Sequence, residues 1–170
     1  MSGLVKSPDP YMNVYFHALV DTAGVIAANN FMSIFNPVGS NKAVISLQLY
    51  VTCHATTSAT APNSLVAYRI SAHSGGTLVA ASTVNRFVSA APDPVTTVRV
   101  GNPAVTTTGL VLVGIPPVIS IGTGSSSTVA SPPPGASFVL IPGEGLAFST
   151  PAGDTDQIWN ISTVWGERPL

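Results

Sequence analysis

Apolar and polar residues alternate along most of this chain in short runs, and glycine and proline separate the runs. The longest run is Ala43 to Cys53. One set of alternate positions holds Ala43, Ile45, Leu47, Leu49, Val51 and Cys53; the other holds Val44, Ser46, Gln48, Tyr50 and Thr52. A period of two predicts a half-buried β-strand, with the first, apolar set inward. Ahead of it lies a short apolar strand from Phe31. The residues between, Asn36-Pro37-Val38-Gly39-Ser40-Asn41, break any regular element. Pro37 donates no N–H and Gly39 is free to take a positive φ. The unit Phe31 to Thr56 is therefore a β-hairpin or a tight β-arch, with Lys42 at its tip.

The same pattern recurs on both sides of this unit. Tyr11 to Val20 is a first strand whose expected core face is Met12, Val14, Phe16 and Ala18, with Tyr11, Asn13, Tyr15 and His17 opposite. Val25 to Asn30 is ambiguous between a helical turn and irregular chain. Leu65 to Ala72 alternates with Val66, Tyr68, Ile70 and Ala72 on its apolar face. Ser74-Gly75-Gly76 is a tight turn that predicts a hairpin with Thr77 to Thr83. Further strands are predicted at Asn85–Val88, Val95–Val100, Ala104–Val113, Val118–Ile121, Phe138–Ile141, Leu146–Thr150 and Gln157–Trp165. In the last of these Trp159, Ile161, Thr163 and Trp165 share a face. Gly122 to Gly135, with a run of three serines and three consecutive prolines, reads as a projecting loop. No segment has the length and caps of a helix. The fold class is all-β: a single β-sandwich of jelly-roll or Greek-key type over residues 12–170. It is preceded by an extended N-terminal arm at 1–11, which Pro8 and Pro10 keep out of helix.

Composition narrows the function. The 170 residues are 45% hydrophobic but only 8% charged, against about 25% in an average globular protein. Two lysines and four arginines cannot make a nucleic-acid footprint. A surface so poor in charge is weakly protected against association and points to burial in an assembly. The single cysteine, Cys53, excludes an intrachain disulfide and a thiolate zinc cluster. There is no signal-peptide pattern and no apolar run of the ~20 residues a membrane span needs, so neither membrane nor nucleic acid is an expected partner.

Catalytic chemistry is not visible. The acids Asp9, Asp21, Asp93, Glu144, Asp154, Asp156 and Glu167 fall in predicted turns, loops or tails, where acids are ordinary. Asp154 and Asp156 fall short of the six to eight oxygens of a calcium site. His17, His54 and His73 stand apart with no metal-ligand spacing, and no GxSxG elbow occurs. The expectation is no enzyme, no cofactor and no metal. Exposed aromatics stack on sugars, which makes Tyr11, Tyr15, Tyr50, Trp159 and Trp165 the candidates for a glycan surface, against core or subunit interface.

The run IFNPVGSNKAVISLQLYV, followed from Arg69 by RISAHSGGTLVAAS, resembles a family of small tailed-bacteriophage virion proteins. The shared features are the turn Asn36-Pro37-Val38-Gly39-Ser40-Asn41-Lys42, the Ser74-Gly75-Gly76-Thr77 hairpin, the turn Pro142-Gly143-Glu144-Gly145-Leu146, and a C-terminal strand with aromatic and acidic residues at Ile161 to Glu167. The resemblance covers residues 25–170. It implies a β-sandwich component of the virion, assembled in the host cytoplasm. The first expectation is a capsid decoration protein on the phage head surface, a homotrimer that clamps neighbouring major capsid protein subunits. The alternative is a tail or fibre module that binds host glycan or receptor. Pro8, Pro10 and Tyr11 of the arm, and Lys42, are the expected partner contacts.

Overall fold

A computed structural model describes residues 12–23, 29–55, 65–115, 126–130, 138–150 and 157–170. The strands are β1 (Asn13–Ala23), β2 (Asn29–Asn36), β3 (Lys42–Ala55), β4 (Leu65–Ser74), β5 (Thr77–Val79), β6 (Asn85–Arg86), β7 (Thr97–Val100), β8 (Ala104–Ile115), β9 (Ser126–Ala130), β10 (Phe138–Leu140), β11 (Glu144–Thr150) and β12 (Gln157–Pro169). They form two six-stranded sheets. Sheet A runs β10-β3-β12-β1-β6, with β9 also on β3; sheet B runs β5-β7-β2-β11-β4-β8. The antiparallel pairs β1–β12, β2–β11, β3–β10 with β3–β9, and β4–β8 are those of one long ribbon wound over itself. That is a jelly roll, one of the two expected topologies. The only helical segment among the described residues is a 3₁₀ turn at Ala81–Thr83, so none of their helices is long and apolar enough to cross a membrane.

The core lies between the sheets. Sheet A contributes Tyr15, Val44, Leu49, Val51, Leu140, Trp159, Ile161 and Trp165; sheet B contributes Phe31, Met32, Ile34, Ala67, Val98, Leu146 and Phe148. The face of β12 that carries Trp159, Ile161, Thr163 and Trp165 is the buried one, and it extends to Glu167. Two expected faces are corrected. Met12, just before β1, is buried as expected, but within β1 the inward residue is Tyr15, stacked on Trp165 at 6.0 Å between ring centroids, while Phe16 lies outward against Phe87. In β3 the inward set changes phase. Val44 and Ser46 are buried in its first half, Leu49 and Val51 beyond. The cause is a β-bulge: Gln48 faces Val164 but Ser46 faces Trp165, which leaves Leu47 extra. One extra residue sends every side chain beyond it to the other face.

Residues 31–55 are an arch and not a hairpin, since β2 belongs to sheet B and β3 to sheet A. The predicted Ser74–Thr77 turn is present, with Gly75 and Gly76 both at positive φ, but β5 pairs with β7 instead of β4. Within the predicted loop at Gly122–Gly135, Ser126–Ala130 forms β9 along β3. The predicted strand Val118–Ile121 and the arm at 1–11 lie outside the described residues.

Residues 75–103 are inserted between β4 and β8 and form a strap. Their β6 joins sheet A beside β1, and their β7 joins sheet B beside β2. The strap therefore supplies the edge strands of both sheets on one side of the sandwich, and these edges, β6 and β5, are very short. To feed it, β4 bends through three register shifts between Ala67 and Ala72. Its tail crosses the outer face of sheet B at Gly145, where an added Cβ would stand 2.9 Å from Ile70 Cγ1 and 2.8 Å from Phe35 Cδ2.

Candidate functional site

The end of the sandwich that carries the Asn36–Lys42 turn is built on one buried side chain. Asn36 ends β2 in sheet B and donates from Nδ2 to the carbonyls of Lys42 (2.8 Å) and Leu140 (2.9 Å), which lie in sheet A. Its Oδ1 accepts from Ser40 Oγ at 2.6 Å, and its backbone carbonyl accepts from Gly143 N at 2.8 Å. One residue thus ties the two sheets and both turns together. Ser40 also accepts from Lys42 N at 3.3 Å. Gly39 and Asn41 hold positive φ, as does Gly143 in the second turn; glycine and asparagine tolerate that region best. The two turn motifs, distant in sequence, are neighbours in space.

Their outer surface is apolar. Val38 is 83% exposed, Ile141 52% and Leu170 71%. Val38 reaches over Gly143, whose added Cβ would lie 3.5 Å from Val38 Cγ2, and Leu170 N bonds to Asn41 O. Lys42 opens β3 beside this patch, half-buried and opposite Pro169; the tip of the turn is Val38-Gly39 and not Lys42. Its ammonium makes no ion pair among the described residues. Lys42 is thus the one predicted contact that falls on the apolar end; Pro8, Pro10 and Tyr11 lie outside the described residues. The neighbouring Glu144 is engaged, pairing with Arg69 at 2.5 Å and accepting from Ile141 N. Val38, Ile141 and Leu170 had no sequence signal beyond being apolar in turn or terminal positions.

The strap is held by two polar anchors that the sequence did not point to. On sheet A, Glu167 is buried and its carboxylate accepts from Val95 N (3.1 Å), Thr96 N (2.9 Å) and Thr96 Oγ1 (2.6 Å). Three donors compensate the desolvation of that carboxylate. The Tyr15 hydroxyl donates to Pro92 O, and Arg86 donates to Ala91 O and pairs with Asp93. Burial, with Glu167 adding to it, pushes the Tyr15 phenol up to about 12. On sheet B, the His73 ring sits between Ser33 Oγ and Thr97 Oγ1, 2.9 Å from each, and against the Phe35 ring. Burial, with the nearby Arg99 cation, lowers His73 to about 4. A serine beside a histidine suggests a nucleophile, but Ser33 is fully buried and the ring's other nitrogen meets a threonine, not a carboxylate. The group is structural.

The glycan candidates mostly vanish into the core. Tyr15, Trp159 and Trp165 are buried; Tyr50, 40% exposed, remains on the outer face of sheet A. Among the described residues no three His, Cys, Asp or Glu side chains gather as a metal site. Burial lowers His17 below the ordinary histidine range, and it faces Thr163 of the neighbouring strand. The chain matches no family model, no curated protein and no solved structure.

Proposed function

We propose that this protein is a structural component of a tailed-phage virion, a decoration protein that binds the outer head surface as a homotrimer and holds major capsid subunits together. The observation that supports this reading is the apolar end formed by Val38, Ile141 and Leu170 with Lys42 at its border. It is a docking patch on a protein whose low charge already points to assembly. The apolar residues bury against the shell, and Lys42 meets an acidic neighbour at the rim. Because the protein binds the assembled shell and not free subunits, it stabilises that shell by mass action. The jelly roll is compatible with this role by analogy alone, since the same architecture serves capsids, lectins and cupins.

The test is head stability. Heads lacking the protein should break at lower temperature and under chelation. Wild-type protein should restore resistance, whereas Val38→Asp with Ile141→Asp should not bind. Copies per particle should track the capsomers of the shell. Heads that survive equally well without it, or copies confined to the tail, would replace this reading with a fibre or receptor-binding role.

A further inference from the structure

One titratable side chain, His73, sits where the tail of β4 meets the strap on sheet B. β11 separates β4 from β2, yet His73 of β4 reaches over it to Ser33 on β2 and Thr97 on β7. The surrounding bonds fix its tautomer. Thr97 Oγ1 donates to Phe35 O at 3.3 Å, so towards the ring it accepts, and His73 Nε2 carries the proton. Nδ1 is then bare and accepts from Ser33 Oγ–H. We propose that His73 is a proton-operated latch, and that protonation at Nδ1 releases the tail of β4 and the adjoining half of the strap from sheet B.

The geometry makes that protonation disruptive. Nδ1–H would point at a hydroxyl hydrogen, and the fully buried Ser33 has no second acceptor among the described residues. The groups facing the ring from each packed element are few. β2 presents Ser33 and Phe35, β7 presents Thr97 and Arg99, β8 presents Val105, and β11 presents Gly145 and Ala147. Arg99 is the charged one, with Nη1 on Gly75 O at 2.7 Å, and it repels an imidazolium. The Glu144 carboxylate at the head of β11 is already held by Arg69. The three register shifts of β4, between Ala67 and Ala72, lie directly before this tail and loosen its connection to the rest of the strand. Local openings are drawn from such segments.

Amide hydrogen exchange on the whole protein from pH 7 to pH 4, corrected for intrinsic rates, tests this. Protection at β5, β7 and the first residues of β8 should fall by up to about tenfold per pH unit below 6.5. Protection at β12 and β3 should hold. His73→Gln is the matched variant: its Oε1 accepts from Ser33 and its Nε2 donates to Thr97, without titrating. It should keep the strap closed and abolish the pH step. A step that persists in His73→Gln, equal losses in the β12–β3 core, or no step in the wild type would each overturn the latch. Should His73→Gln fail to fold, the carbon and nitrogen shifts of the wild-type ring decide: the Nε2–H tautomer giving way to imidazolium as the strap opens supports it, and any other order refutes it.

Discussion

Asn36 and His73 do similar work in different ways. Each joins strands that are not neighbours in a sheet, through a side chain with hydrogen bonds on both sides. Asn36 draws two of its four partners from the turn that follows it, and nothing in that network titrates between pH 4 and pH 9. His73 draws its partners from residues far along the chain, and its bonds hold in one protonation state. The first is a bracket indifferent to pH, closing the end with the proposed docking surface. The second is conditional, set where the tail of β4 meets the strap on sheet B. The same sandwich therefore combines a rigid end and a releasable flank.

Substitutions test that contrast. Asn36→Leu should have the largest effect, because it leaves the Lys42 and Leu140 carbonyls buried without a donor and separates the two sheets at one end. A loss of about 3–5 kcal/mol in denaturant unfolding is expected, with Tm down by roughly 10 °C; a loss below ~1 kcal/mol would deny the bracket. Gly145→Ala should follow. Its Cβ would stand 2.4 Å from Ile34 O, and forced repacking of this kind costs about 1–3 kcal/mol. Glu167→Gln should cost about 2 kcal/mol, since an amide N–H₂ must face either Val95 N or the Thr96 donors; exchange at Val95 and Thr96 should rise first.

The pH arm is smaller. His73 is lowered in the folded state to about 4 from its ordinary 6.5, so its contribution is complete above pH 6.5 and is lost as pH falls toward 4. The ceiling is ~3 kcal/mol, and about half of that is expected for a partly solvated ring. Tyr15 gives the opposite sign at the other anchor. Its folded value of about 12 exceeds the ordinary 10, so stability is intact below pH 10 and declines as pH rises toward 12. Unfolding midpoints across pH should show both slopes, and His73→Gln should remove the acid one alone. Val38→Asp should change stability least, within about 0.5 kcal/mol, while abolishing binding to heads. A large stability loss there would make Val38 a packing residue and remove it from the docking surface.

Much of the architecture was legible because it is written locally. Period-two patterning marks strands, glycine and proline mark where they stop, and both tryptophans of β12 share one face as read, although only the structure shows that face to be the buried one. The chemistry of Asn36, Gly39 and Ser40 also declared a turn, because its bonds close within a few residues. At the end proposed for docking, the sequence singled out Lys42, whereas only the meeting of two distant turns brings Val38 and Ile141 to one end of the sandwich.

What the tertiary structure decided depends on partners far along the chain. The bulge at Leu47 is set by its register against Val164 and Trp165, so no local pattern announces that β3 changes face. Tyr15 turns inward because Trp165 and Pro92 receive it, and Phe16 turns outward to Phe87. Glu167 reads as a tail acid until Thr96 is brought to it from 71 residues away. His73 is an ordinary strand histidine until β4 bends over Gly145 and places it between Ser33 and Thr97. Sequence by itself determined where the chain extends and where it turns, since those are short-range preferences of backbone and side chain. Which face is core, and which polar groups hold the strap, was decided only when strands tens of residues apart came within hydrogen-bonding distance.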